Sequence, residues 1–396
     1  MKLVLDLVLL VLGLPVLVAG NYLFVATLLS KKSPLPPEVA PARRFRFIVP
    51  AHNESAGISA TVKSLLAVDY PQASFDVLVV ADNCEDDTAE QARAAGAVVL
   101  ERHDTTRRGK GYALLLAFSS LPADVDAVVV IDADTLVSPN ILRAFAARRD
   151  LGAFAIQADY AVRNPNAGWR TRLIAIAFGA FHIVRSRARE RLGLSCGLRG
   201  NGMCFAAELL AAVPHEAFSI VEDVEYGIRL GEAGYRVHYA DEAHVYGEMV
   251  STAAAASSQR RRWEEGRKEL IAKNGWRLLR AGLARRNRVL FDLALDLLVP
   301  PLSRIAILSV LGALVAAAFS VWSGAFSLSL AAFIWCLFAV VLYVLRGWSV
   351  SGTGLRGLVD LGLAPVYVVW KASLRFRKPS RPTSTWVRTK REKLPE

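Results

Sequence analysis

The sequence is poor in the residues that staple or metallate small domains. Its four cysteines, Cys84, Cys196, Cys204 and Cys336, include no CxxC pair, which argues against a structural zinc site and a disulfide framework. No G-x-G-x-x-G follows the first apolar strand, which argues against a Rossmann dehydrogenase. There is no internal repeat, and the only low-complexity stretch is the short alanine run 253–256. Acid is scarce relative to base: 36 Asp and Glu face 48 Lys and Arg, a formal net charge of +12. The basic residues sit beside apolar segments without any nucleic-acid motif, so the expected polyanion is a lipid surface and no nucleic-acid partner is expected.

Apolar residues, by contrast, are abundant: 53% of the 396 residues, with a mean hydropathy of +0.32. They gather at the two ends, the pattern of a membrane protein with a polar middle. Residues 3–29 are nearly uninterrupted apolar sequence, and as a helix would run to about 40 Å, enough to cross a ~30 Å hydrocarbon layer with some tilt. Val18-Ala19-Gly20 resembles a signal cleavage site, but the run is too long for a signal core and only Lys2 precedes it. Lys31, Lys32, Arg43, Arg44 and Arg46 follow, which places the next segment in the cytoplasm by the positive-inside rule.

Near the other end, 291–301 carries Asp292 and Asp296 and closes in Pro300-Pro301, as an interfacial helix would. Segments 305–322 and 325–345 then read as a spanning hairpin bracketed by Arg304 and Arg346. Residues 355–370 hold Arg356, Asp360, Pro365 and glycines and read as interfacial or re-entrant. The expected organisation is a transmembrane helix at 1–30, a cytoplasmic domain at 40–285, interfacial helices and the hairpin at 286–372, and a basic cytoplasmic tail at 373–396. The expected location is the inner cell membrane, multi-pass.

The middle alternates strands at 46–50, 76–81, 97–100 and 126–131 with helical patterns at 57–67, 87–95 and 111–119. Continuous apolar strands separated by helices predict an α/β, Rossmann-like, mostly parallel sheet covered on both faces, which binds ligands outside its carboxyl edge. The strand 126–131 runs straight into Asp132-Ala133-Asp134. Two carboxylates one residue apart on extended chain point the same way and repel unless a cation lies near. Oxygen ligands of this kind suit Mg²⁺ or Mn²⁺, which use one or two carboxylates together with substrate phosphates. The neighbouring strands end in Val49-Pro50-Ala51-His52-Asn53-Glu54 and Val80-Ala81-Asp82-Asn83-Cys84, so one edge has polar groups enough for a nucleotide. His52 can stack on a base, Glu54 and Asp82 can accept hydrogen bonds, and Arg107, Arg108 and Lys110 can neutralise phosphate.

The order Pro-Ala-His-Asn-Glu, Ala-Asp-Asn-Cys, Gly-Lys-Gly-Tyr-Ala-Leu and Asp-Ala-Asp, after an N-terminal span, resembles the membrane-integrated family-2 inverting glycosyltransferases of the GT-A fold. The resemblance covers roughly residues 46–263 by motif. It implies His52, Glu54, Asp82, Lys110, Asp132 and Arg262 for donor binding, with Asp132 and Asp134 at an Mg²⁺ or Mn²⁺ ion. Val221-Glu222-Asp223 opens a helix and resembles the family's "TED" motif with valine for threonine, which implies Asp223 as general base beside Glu222. Gln259-Arg260-Arg261-Arg262-Trp263 matches QxxRW; on a helix Gln259, Arg262 and Trp263 share a face. The implied roles are Arg262 at the diphosphate, with Trp263 and Gln259 under the acceptor. The loop around Gly200 and Gly202 resembles the acceptor-facing glycine loop of the family.

The implied activity is transfer of a sugar from a nucleotide-sugar, by resemblance a UDP-sugar, to a glycan or lipid-linked glycan in surface polysaccharide assembly. Ceramide glucosyltransferases carry the same aspartates and a related (Q/R)xxRW, so a single-sugar glycolipid synthase stands as the alternative. A non-catalytic membrane scaffold would have lost one of Asp132, Asp134, Asp223 or Trp263, and all are present. Three spans are few for a polymer channel, so a secreted polymer would call for a homo-oligomer or an export partner.

Overall fold

The computed structural model describes residues 2–249, 253–324 and 326–373, with the side chains of 253–263 and 369–373 outside the described set. Helix α1 (Lys2–Leu28) is followed by β1 (Phe45–Ala51), α2 (Ile58–Leu66), β2 (Phe75–Asp82), α3 (Thr88–Ala94), β3 (Val98–Arg102), α4 (Lys110–Ser119) and β4 (Ala127–Val130). The four apolar runs of the sequence coincide with these strands. Then come β5 (Thr135–Val137), α5 (Ile141–Asp150), β6 (Ala155–Val162), α6 (Trp169–Phe178), a π-helical segment Gly179–Val184, α7 (Arg185–Arg191), β7 (Met203–Ala206), α8 (Ala207–Ala212), α9 (Glu222–Glu232) and β8 (Val237–Gly247). Last are α10 (Ala253–Ala284), α11 (Arg288–Leu298), α12 (Leu302–Ser323), α13 (Leu328–Val350), α14 (Gly354–Asp360) and α15 (Ala364–Ser373).

One eight-stranded sheet has the order β3-β2-β1-β4-β7-β6-β8-β5. β3, β2, β1 and β4 are parallel, and β6 pairs parallel with β8. The pairs β4–β7, β6–β7 and β5–β8 are antiparallel. The sheet is therefore mixed, with parallel pairs in the majority, and the sequence reading missed its second half. β5 and β7 are 3 and 4 residues, too short to show a period. β6 and β8, at 8 and 11 residues, are interrupted by Gln157 and Asp159 and by His238, Asp241, Glu242 and His244 and so lack the continuous apolar run of β1, β2 and β4.

The apolar strands face two cores because successive side chains alternate across the sheet. Phe45, Phe47, Val49, Val77, Val79 and Val129 pack with α2 and α5 residues on one face. Ile48, Leu78, Val80, Val128 and Val130 pack with Leu114, Leu209 and Tyr226 on the other. Both faces being covered is what makes these strands uniformly apolar.

Among the described residues, three helices are long and apolar enough to cross a membrane: α1, α12 and α13. Val16, Leu23, Ile305, Cys336, Val340 and Tyr343 form their shared core, joined by Ala180 and Val184 of the π segment. Glycines set the approach, since a Cβ on Gly13 or Gly312 would collide with Phe333. Asp6 of α1 accepts hydrogen bonds from Ser327 Oγ (2.8 Å), Ser329 Oγ (2.6 Å) and the Leu328 N–H (2.8 Å), so this charge within an apolar helix caps the start of α13. The hairpin's second helix reaches Val350, five residues beyond the expected end, and 354–373 is a helix broken at a 3₁₀ turn, Leu361–Leu363.

The bundle meets the α/β domain through a buried ion network. Arg189 Nε donates to Asp292 Oδ2 (2.6 Å), its Nη1 lies 3.1 Å from Asp296 Oδ2, and Arg185 Nη1 lies 3.0 Å from Asp296 Oδ1. Arg185 also donates to the Tyr343 hydroxyl at 3.0 Å. The two aspartates of the expected interfacial helix thus face arginines of α7.

Candidate active site

The carboxyl ends of β1, β2 and β4 bring the polar sequence motifs to one edge, where Lys110 is the hub. Lys110, the first residue of α4, places Nζ 2.6 Å from Asp132 Oδ1 and 3.6 Å from Glu222 Oε1 and donates to the Gly200 carbonyl. Gly200 takes φ +77°, and a Cβ there would lie 3.4 Å from Asp223 Oδ2 and 3.7 Å from Lys110 Nζ. The left-handed backbone is what favours glycine here, and it turns the Gly200 carbonyl toward Lys110. Asp132, Lys110, Gly200, Glu222 and Asp223 form one cluster from four parts of the chain.

Asp223 and Glu222 lie in the first turn of α9, and Asp223 Oδ1 accepts from the Val224 N–H at 2.8 Å. Burial raises both carboxyl pKa values, with Lys110 opposing the rise in each case. For Lys110, burial disfavours the cation, but Asp132 and Glu222 more than offset it and the pKa is raised. The result is a permanently charged ammonium beside carboxylates with increased proton affinity.

Asn201 was not singled out from the sequence, yet it aligns the DxD pair. Its Oδ1 accepts from the Asp132 N–H (3.1 Å), and its Nδ2 donates to Thr135 Oγ1 (2.8 Å), which in turn donates to Asp134 Oδ1 (3.3 Å). Gln157 also escaped notice: its Nε2 donates to the Asn201 carbonyl (2.7 Å) and its Oε1 accepts from the Arg199 N–H (2.9 Å). It clamps the glycine loop from beneath, and its signal was a lone amide in the apolar strand Ala155-Ile156-Gln157-Ala158. Gly202 is not at the surface of the site. At φ +71° a Cβ would lie 2.9 Å from both Val245 methyls, so packing accounts for this glycine.

At the β2 end, Asp82 is 1% exposed and its Oδ1 accepts from Arg102 Nη1 (2.6 Å) and Asn83 Nδ2 (3.1 Å). Its Oδ2 has no hydrogen-bond partner among the described residues, an unusual state for a buried carboxylate oxygen. His52 Nδ1 lies 2.7 Å from the Asp82 carbonyl and so stands beside it, while the Glu54 N–H donates to Thr88 Oγ1 (2.8 Å) at the start of α3. Arg107 and Arg108 are exposed in a loop closed by Asp104, which accepts from the Arg107 N–H at 2.9 Å; among the described contacts neither arginine joins the cluster. Gln259, Arg262 and Trp263 lie on α10, and their side chains are outside the described residues.

No group of three or more His, Cys, Asp and Glu suited to a metal occurs among the described residues. The two carboxylates Asp132 and Asp134 are an incomplete cage, which fits a hard divalent ion that keeps waters and takes phosphate oxygens rather than a fully protein-ligated one.

A Rossmann-like sheet of this order, with two aspartates leaving its central strand opposite a glycine loop and an acidic helix start, defines the GT-A class of fold. Residues 41–266 match the family described as glycosyltransferase like family 2, more than half of the chain, and the protein belongs to that family. It is 31% identical over 228 residues to a β-monoglucosyldiacylglycerol synthase of Synechocystis sp., covering 55% of this chain and 47% of the relative. It is 24% identical over 257 residues to a probable glycosyltransferase of Bacillus subtilis (62% and 60% covered). Against a poly-β-1,6-N-acetyl-D-glucosamine synthase of Staphylococcus epidermidis it is 23% identical over 244 residues (58% and 56%). The chain thus spans about half to three-fifths of the length of these relatives. A mannosyltransferase from Pyrobaculum calidifontis, solved in complex with GDP-Man and Mn²⁺, shares the fold with a TM-score of 0.52 and 18% identity, over 86% of this chain and 99% of that one.

Proposed function

We propose that this protein is a membrane-bound inverting glycosyltransferase that moves a sugar from a nucleotide-sugar, a UDP-sugar by motif, to a glycan or lipid-linked glycan acceptor in surface polysaccharide assembly. The observation that carries the reading is the convergence of Asp132, Glu222 and Asp223 around Lys110 at the sheet's carboxyl edge. In this reading the donor's base lies over β1 and β2, against His52 and Asp82, and its diphosphate lies near Lys110 and Asp132. Asp132 and Asp134 would hold Mg²⁺ or Mn²⁺, which supplies neutralisation of the leaving diphosphate. Asp223 takes the proton of the acceptor hydroxyl as its oxygen attacks the anomeric carbon, and the nucleoside diphosphate departs from the opposite face. A carboxylate with raised proton affinity is suited to that task. Glu222, held by Lys110, keeps the lysine in place beside Asp132. Gln259 and Trp263 bind the acceptor, and Arg262 the diphosphate. The α/β domain faces the cytoplasm of the inner membrane, on the side of Lys31 and Lys32.

A second reading, a single-sugar glycolipid synthase, is favoured by the close packing of α1, α12 and α13, where Gly13 and Gly312 lie against Phe333 and Gly20 against Cys336. The 31% identity to a glucosyldiacylglycerol synthase points the same way.

The test is release of nucleoside diphosphate by detergent-purified protein from a panel of UDP- and GDP-sugars, with Mg²⁺, Mn²⁺ or EDTA. Acceptors are lipid-linked oligosaccharide, free oligosaccharide, diacylglycerol and ceramide. EDTA-sensitive release stimulated by oligosaccharide acceptors, and abolished in Asp223→Asn with donor binding retained, is the expected result. Stimulation by diacylglycerol or ceramide alone would select the second reading. Absence of both release and calorimetric nucleotide binding would refute both.

A further inference from the structure

Away from the catalytic cluster, an apolar groove of about 460 Å³ opens between α1, α7 and the α10–α11 hairpin. That volume is within the range of small-ligand clefts, about 300–1,000 Å³. Its walls come from Val25 near the end of α1, from Leu192 and Leu194 after α7, and from Leu283, Phe291 and Leu295 of the hairpin. Its one carboxylate, Asp292, is bound to Arg189 at 2.6 Å, so no acidic group is left to repel an anion. Its rim is cationic: Arg286 and Arg288 line it and are exposed. Arg191, adjacent to Leu192, is exposed and donates to the Lys31 carbonyl at 3.2 Å.

Position selects the occupant. The groove touches α1 at Tyr22, Val25 and Ala26, in the last two turns of a helix that ends at Leu28. If α1 crosses a bilayer, these turns lie where hydrocarbon gives way to headgroups. A polar metabolite would find few partners on such walls. A hydrocarbon chain from the adjoining leaflet finds apolar surface and, at the mouth, guanidinium groups matched to phosphate.

We propose that this groove binds one acyl chain of an anionic phospholipid, with the headgroup phosphate at the Arg286–Arg288 rim. The bound chain ties the α10–α11 hairpin to α1 and α7. The Arg189 that closes the groove also donates to the Cys196 carbonyl at 3.4 Å, at the entry to the glycine loop. The inference rests on the membrane-bound part of the functional reading and not on the transfer chemistry.

The experiment reconstitutes the full chain in nanodiscs of phosphatidylcholine alone or mixed with phosphatidylglycerol, extracts it into mild detergent and counts retained lipids by native mass spectrometry. Wild type is expected to keep one phosphatidylglycerol and to lose phosphatidylcholine. Arg286→Glu/Arg288→Glu, at exposed positions, should lower phosphatidylglycerol retention at least tenfold, and Leu283→Trp should do so by filling the groove. Melting temperatures and gel filtration confirm that each variant is folded. Equal retention of the two lipids by wild type, or unchanged retention by both variants, overturns the proposal. Because the readout needs no donor or turnover, an inactive enzyme passes or fails this test independently of the proposed reaction.

Discussion

The unpaired oxygen of Asp82 makes the proposed donor site testable by one atom. Arg102 Nη1 and Asn83 Nδ2 both donate to Oδ1, at 2.6 and 3.1 Å, while Oδ2 is buried with no partner among the described residues. In Asp82→Asn the two donors hold the amide oxygen at the Oδ1 position, so the NH₂ must replace Oδ2. If Oδ2 receives an N–H of the donor's base, the substitution turns an acceptor into a donor and sets N–H against N–H. A hydrogen bond to a charged acceptor contributes about 1.5–3 kcal/mol, so affinity should fall about ten- to a hundredfold. Calorimetry with UDP and GDP in Mg²⁺ reads the loss, and UDP methylated at N3 should bind wild type as weakly as UDP binds the variant. An unchanged Kd in the variant, with its melting temperature preserved, would refute the assignment.

Three further outcomes are expected. Gly202→Ala, forced to φ +71° with its Cβ 2.9 Å from the Val245 methyls, should cost about 1–3 kcal/mol through overpacking, read as a lower melting temperature. Arg189→Met leaves Asp292 and Asp296 facing fewer cations in a buried site and should cost about 3–5 kcal/mol. The double variant Arg189→Met/Asp292→Leu should recover much of it, and no recovery would refute pairing as the cause. His244 Nδ1 lies 3.0 Å from Asp159 Oδ2, a hydrogen bond that raises the imidazole pKa. A raised folded-state pKa contributes stability fully present below the ordinary histidine value near 6.5 and lost as pH rises through the folded value. The melting temperature should therefore decline over that interval in wild type and respond less to pH in His244→Gln.

How much of this was legible follows from how local each signal is. The parallel half of the sheet could be read because β1, β2 and β4 are apolar on both faces and end on polar groups at one edge. The long apolar helices could be read because length and hydropathy are additive along the chain. Asp132 and Asp134 stood out because two carboxylates one residue apart at a strand end repel unless a cation lies near, and Asp223 because Val221-Glu222-Asp223 resembles a family motif. Asn201 and Gln157 did not, since an amide carries no charge and its role is decided by which backbone groups surround it.

By itself the sequence determined the layout, an α/β domain between apolar ends, and the residue types of a nucleotide-sugar site. Only the tertiary structure decided that Lys110, 22 positions before Asp132 in the chain, stands between it and Glu222, that Gly200 serves the site while Gly202 serves packing, and that Asp292 and Asp296 answer arginines of α7. The physical reason is that charge pairing and close packing act through space over a few ångströms, between residues whose separation in sequence carries no trace of the contact.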